Sequence, residues 1–403
     1  MTLRPPGMTS QEALFVEKAG LTRKALLRRA GGSLLVASAA GTLLAACGED
    51  TGSGGAASGG GEKEASGKAT GTVAMLTWQG YDDKEALAPL RKQGVKVAAS
   101  YVGNNEEIVT KLRGGGVSRY DVSTPYHGYV GALVQAKLVQ PIDYARLESA
   151  KTLFPEFAQP EWNTFEGKTY SAPLVWGDAP LVRRTDLLAD APESWLDLQD
   201  SKYRRKVVMW DDGYGHILVY AKALFGPDKP NELTRKELDE VMVALRGVKK
   251  NAVTVAPSHG DAADVLARGD AAIATASWAY VAELVKQKGR PAETSLPKEG
   301  GFAWADSHVI PAEAPNPDAA YAVLEASLSA EGNALVAGNL SSGTVNRESV
   351  PLLDAKQREL YPYDDLAGHF SDYGFYSIPP LEPQGDVMTL KDWNAAWEEL
   401  KAA

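Results

Sequence analysis

Beyond residue 71 the chain alternates short apolar runs with helix-compatible stretches, and no other feature constrains its fold as tightly. Thr72 to Trp78 (TVAMLTW) reads as a buried strand, 83–92 as a helix and Val95 to Val102 as a second strand, the βαβ order of a parallel pair. Residues 106–112 read as a helix stopped by Gly114-Gly115-Gly116, and Tyr120-Asp121-Val122-Ser123 opens a strand before the turn at Pro125. The alternation continues through 207–210, 217–224, 271–276 and 278–286. It predicts an α/β fold with mostly parallel sheets, whose ligands sit beyond the carboxyl ends of strands. Loops that follow apolar runs are therefore where function is expected: Trp78 and Tyr81, Tyr126 and His127, Asp211 and Asp212, Trp304 and Asp306. Leu390, Trp393, Trp397 and Leu400 share one face of a helix over 390–400, a pattern that predicts packing on a core.

Residues 1–71 have a different character. Six Lys/Arg and two acids in residues 1–46, an apolar small-residue stretch from Ala30 to Ala46 and then Cys47 make an export signal the natural reading. Leu44-Ala45-Ala46-Cys47 resembles a bacterial lipobox, which implies lipidation of Cys47 after removal of 1–46. Thr22-Arg23-Lys24-Ala25-Leu26-Leu27-Arg28 is similar to a twin-arginine motif with Lys in its second slot, and Arg28-Arg29 offers a competing register. Residues 48–71 hold no large apolar side chain, so 47–71 is expected to be a flexible, lipid-anchored linker. No other run reaches the roughly 20 apolar residues a membrane span needs, so the membrane is expected to be met through lipid only.

Charge narrows the partners. The chain carries 42 Lys+Arg and 52 Asp+Glu; without 1–46 it holds 36 and 50, a net charge of about −14. That excess, with no basic block after residue 46, argues against nucleic acid and favours cations. A single cysteine excludes an intramolecular disulfide and a cysteine metal cluster. The five histidines, His127, His216, His259, His308 and His369, lack HxxxH or HExxH spacing, so neither metal nor cofactor is expected. Neither a GxSxG nucleophile nor a Walker loop occurs, and the chain is not expected to be an enzyme.

Aromatic residues beside acids are the positive signal. Trp78-x-x-Tyr81 followed by Asp82-Asp83, Trp210-Asp211-Asp212, and Trp304-Ala305-Asp306 each put a ring next to a carboxylate at a strand end. An ammonium gains about 0.5–2 kcal/mol from a ring face, and more from a carboxylate shielded from water. The same residues can instead cap a core and start helices, Asp211 and Asp212 standing ready to begin one near Ile217.

From Val73 onward the chain resembles bacterial solute-binding proteins of ABC importers, in their spermidine/putrescine-binding branch. The segments that carry the resemblance are 77–83 (TWQGYDD), 120–130, 138–143, 173–184, 194–212, 266–284 and, most specifically, 297–311 (PKEGGFAWADSHVIP). The resemblance implies a two-lobed periplasmic-binding-protein fold of type II. Crossover hinge strands would join lobe 1 (72–174 plus 306–348) to lobe 2 (175–305 plus 349–403). It further implies a small cationic amine held in the cleft and passed to a membrane permease. Position by position, Trp78 and Tyr81 would form one wall, Trp304 would stack on the ligand, Asp212 and Asp306 would pair with amines, and Gln384 would be a polar pocket residue. Tyr126, His127 and Trp278 would refill space left where Thr275 replaces a tryptophan and Ser342 a tyrosine. Gly80 and Gly215 stand where polyamine binders often carry further acids, which leaves a monoamine or quaternary ammonium as an alternative ligand. A metal at Tyr126, His127 and Tyr129, or an anion at Arg183 and Arg184, is the remaining alternative. Tyr214, Asp178 and Asp211 are further candidates for polar contacts.

Overall fold

The computed structural model describes residues 71–228 and 230–403. The expected export signal, Cys47 and the linker up to residue 70 lie outside the described residues. Thr72–Thr77 forms the middle strand of a parallel sheet, with Lys96–Tyr101 on one side and Val122–Ser123 on the other. Val73, Met75 and Leu76 are fully buried there, as an apolar run flanked on both sides requires. The helix Asn105–Arg113 begins where the Asn104 side chain accepts the Glu107 amide, and it stops at Gly114.

The second sheet has five strands, in the order Ala252–Ala256, Val207–Trp210, Ile273–Thr275, Leu181–Arg184 and Ala292–Ser295. Its first three strands are parallel. Leu181–Arg184 runs antiparallel to both its neighbours, so this sheet is mixed where the sequence suggested mostly parallel pairing. The reason is connectivity: Leu181–Arg184 enters directly from the preceding strand rather than through a crossover helix.

Between the two sheets lies a short antiparallel one, in which Ala172–Asp178 is flanked by Ala303–His308 and Gly343–Thr344. These strands carry the chain from one core to another. Trp176 belongs to the core around Val73, Leu76 and Leu133, and Ala179 to the core around Trp195, Leu218 and Trp393; on the return, Phe302 lies in the second core and Ala305 in the first. A third cluster, around Val208, Leu266 and Val281, covers the other face of the five-stranded sheet. The molecule is thus a two-lobed α/β structure joined by crossing strands.

Residues 349–403 do not all pack in the second lobe, as the sequence reading had them. Tyr361, Leu366 and Ile378 join the first core because the Tyr361 and Phe370 rings lie 4.7 and 4.8 Å from Trp176. The closing helix Leu390–Ala402 buries the four residues its spacing predicted, Leu390 in the first core and Trp393, Trp397 and Leu400 in the second.

Candidate functional site

The strand Thr72–Thr77 ends in a tight turn in which the Tyr81 amide donates to the Trp78 carbonyl at 3.3 Å. Gly80, third residue of that turn, has φ +96°, a conformation an L side chain resists. The turn drives both rings inward. Trp78 donates its indole N–H to the Thr124 carbonyl at 2.8 Å, and the Tyr81 hydroxyl donates a short hydrogen bond to the Asp306 carboxylate.

Asp306 arrives from the crossover strand Ala303–His308. Alternation along a strand places Ala305 in the first core and sends Trp304 and Asp306 to the opposite face. The register shifts between Asp306 and Ser307, a bulge of the kind that re-aims a side chain near a functional site. Trp304 pairs with Gly177 across the ladder, and a Cβ at 177 would collide with the indole. Trp278 abuts Trp304 edge-on at 5.9 Å and is itself fixed by donating to the Tyr361 hydroxyl at 3.0 Å.

The second lobe supplies Asp212, which follows the strand Val207–Trp210 and precedes the helix Gly213–Phe225. Its carboxylate folds over Gly215; a Cβ there would collide with it and with the Phe302 ring. From the first lobe Tyr126 closes the gap. Its amide donates to the Asn105 side chain at 2.9 Å, its backbone bridges that of Asp306, and its hydroxyl lies 3.4 Å from that of Tyr214 on the second lobe. Tyr214 in turn donates to the Tyr376 carbonyl at 3.0 Å.

Burial dominates the electrostatics. It pushes the Asp306 carboxyl up to about 7, although the Tyr81 hydrogen bond pulls the other way. It pushes Asp212 up to about 6, aided by the charge of Asp211 and opposed by the Gly215 and Tyr214 amides. The Tyr81 and Tyr126 hydroxyls are raised well above the usual range by burial first; Asp306 adds to Tyr81, while Tyr214, Asp212 and Asp306 add to Tyr126. Both carboxyls therefore raise the same hydroxyl, that of Tyr126, which meets the hydroxyl of Tyr214. Two acids that resist ionising while enclosed by rings are a poor environment for an anion and a ready one for a cation, whose charge would lower both.

Of the sequence-predicted residues, Tyr81 and Tyr126 meet Asp306 directly, Trp304 is its neighbour on the same strand face, Asp212 adjoins Tyr214, which meets Tyr126, and Trp78 is tied to the Thr124 carbonyl. Gln384 does not join them. It is exposed in a turn bridged to Val387, and neighbouring bonds, Val387 to Thr234 and Met388 to the Leu233 carbonyl, tie that turn to the second lobe.

Several other candidates are already engaged. His127 is buried, accepts the Ala305 amide at 3.1 Å and is lowered to about 3 by burial; Tyr129 donates to Glu106 at 2.9 Å. Arg183 pairs with Glu293 and Arg184 with Asp186. Asp211 holds Trp397 and Lys401, and Asp178 meets His369. Among the described residues no group of three His, Cys, Asp or Glu is arranged to hold a metal ion.

Sequence reasoning passed over Phe302 and Tyr376 and left Tyr214 without an assigned direction. The signal for Phe302 was present: it precedes Trp304 by two, the spacing of one strand face.

Comparison with known proteins agrees with this architecture. A curated relative named spermidine/putrescine-binding periplasmic protein, from Salmonella typhimurium, is 28% identical over 297 residues, covering 72% of this chain and 83% of that one. Spermidine/putrescine-binding periplasmic protein 1 of Haemophilus influenzae is 25% identical over 348 residues, covering 84% and 91%. Among solved structures, a spermidine/putrescine ABC transporter substrate-binding protein from Streptococcus pneumoniae superposes with a TM-score of 0.65 at 20% identity, over 82% of this chain and 97% of the other. The family described as bacterial extracellular solute-binding protein matches residues 86–361, and with most of both lobes inside that match the chain belongs to this family.

Proposed function

We propose that this protein is the substrate-binding lipoprotein of an ABC importer. It captures a cationic amine, a polyamine such as putrescine or spermidine, between its lobes and delivers it to a membrane permease; Cys47 anchors it by lipid outside the cell membrane. The observation that supports this reading is the pair of carboxyls, buried Asp306 from the crossover strand, which accepts from Tyr81, and half-buried Asp212 from the second lobe, both of which raise the Tyr126 hydroxyl. The names of the curated relatives support the polyamine class.

In the mechanism, an ammonium entering between the lobes replaces the proton that burial favours on Asp306 or Asp212 and leaves an ion pair shielded from water. Trp304 offers a ring face, and the Tyr126–Tyr214 contact bridges the two lobes. Ligand that touches both lobes stabilises the closed form by its differential affinity. Two carboxyls match two ammonium groups, so a short diamine suits the cage better than a longer polycation with an unmatched charge.

Calorimetric titration of the purified protein at pH 8 with putrescine, spermidine, butylamine and choline tests the reading. Putrescine is expected to bind tightest, and Asp306→Asn and Asp212→Asn are each expected to weaken it by about 100-fold or more. Absence of binding by any of these cations, or unchanged affinity in Asp306→Asn, would refute it. Choline or butylamine binding more tightly than putrescine would favour the monocation alternative.

A further inference from the structure

A second acidic cavity, of about 450 Å³, opens beside the crossover strand. Asp178, the last residue of Ala172–Asp178, lines it together with Glu283, Glu359, His369 and Tyr373. Only 4% of Asp178 is exposed. Its Oδ2 lies 2.9 Å from His369 Nε2, whereas its Oδ1 is buried with no hydrogen-bond partner. A buried carboxylate oxygen lacking a donor is costly, and such a group in a native structure calls for a reason.

The surroundings indicate what would satisfy it. Glu283, Glu293 and Glu359 line the same cavity, with Lys286 as its one lysine, and Glu293 is already drawn to Arg183 at 3.1 Å. The Tyr373 ring, stacked on His369 at 4.4 Å, adds an aromatic face. The space exceeds what a bare ion fills, and no metal-holding group of acids and histidines occurs among the described residues. We propose that this cavity is a second binding site, for a small organic cation with a primary ammonium or guanidinium head that donates to Asp178 Oδ1. None of its lining residues belongs to the cage of Tyr81, Tyr126, Asp212, Trp304 and Asp306, so the proposal stands apart from what occupies the cleft.

The test uses methylguanidinium and butylammonium as probes on the whole protein labelled with ¹⁵N at histidine. His369 is identified by the loss of its signal in His369→Gln. In Asp306→Asn, whose cleft is disabled, probe at millimolar concentration is expected to shift the His369 signal. Asp178→Asn added to Asp306→Asn is expected to weaken that response about tenfold or more, whereas Asp178→Asn alone is expected still to bind putrescine in the cleft. Should Asp178→Asn fail to fold, the double variant Glu283→Gln/Glu359→Gln, at more accessible positions, is expected to weaken the response in the same direction. A His369 signal unmoved by either probe overturns the proposal, as does a response unchanged in a folded Asp178→Asn or, failing that variant, in the double variant. Loss of putrescine binding in Asp306→Asn with the His369 response intact would separate the two sites.

Discussion

At the scale of single residues, Gly80 and Gly215 are each explained by what surrounds them. Gly80 occupies the left-handed position of the turn between Trp78 and Tyr81, and Gly215 leaves room for the Asp212 carboxylate and the Phe302 ring. An acid at either place would add charge only by disturbing what is already there. Gly80→Asp is expected to lower stability by about 1–2 kcal/mol in chemical denaturation, the cost of forcing an L residue to positive φ. Gly215→Glu is expected to displace Asp212 and weaken amine binding despite its added negative charge. Tighter binding in that variant would show that the carboxylate fits without displacing its neighbours.

Much of this residue-level picture was legible in advance because Trp304-x-Asp306 and Trp78-x-x-Tyr81 are local patterns, a strand alternation and a turn. Gln384 was not legible. Its position depends on bonds to Leu233 and Thr234, some 150 residues away, and no local pattern records a long-range tie.

At the scale of elements, the helix Leu390–Ala402 shows how a period becomes a packing surface. The Thr389 hydroxyl and the Asp392 carboxylate form a reciprocal cap at its start, and Trp393, fully buried, plugs the second core. Trp393→Ala is expected to cost about 3–5 kcal/mol, and Thr389→Ala about 1 kcal/mol, both read from urea unfolding midpoints. The periodicity made this helix and its buried face readable. The reversed direction of Leu181–Arg184 was hidden, because strand polarity depends on how the chain re-enters the sheet and not on which residues are apolar. The same limit applies to 349–403, whose division between two cores follows from ring contacts with Trp176.

At the scale of the whole molecule, closure over two reluctant acids makes the empty protein sensitive to pH. Asp306 and Asp212 sit at about 7 and about 6, above the ordinary carboxylate range. Between about pH 4 and 7 these two groups therefore hold more protons in the folded state than in the unfolded one, while His127, His216, His259 and His308, lowered by burial to about 3, 4, 3 and 3, act in the opposite sense over much of the same window. The contribution of the two carboxyls is fully present below about pH 4 and is lost as pH rises through 7. Glu107, lowered chiefly by Lys111, and Asp392, lowered chiefly by the Thr389 side chain and amide, act in the opposite sense at lower pH. The informative quantity is thus the difference in melting temperature between wild type and Asp306→Asn, expected to shrink from pH 5 to pH 8. Saturating putrescine at pH 8 is expected to raise the wild-type melting temperature well above its effect on the variant. Amine affinity itself is expected to climb across pH 6–7 as the carboxyls ionise, and a flat titration profile would contradict this account.

Trp304 rests on Gly177, and Asp306 sits at a kink, in the very ribbons that link the halves of the molecule. A guest held by that indole and that acid, as proposed, would therefore pull on the same ribbons about which the halves would have to turn.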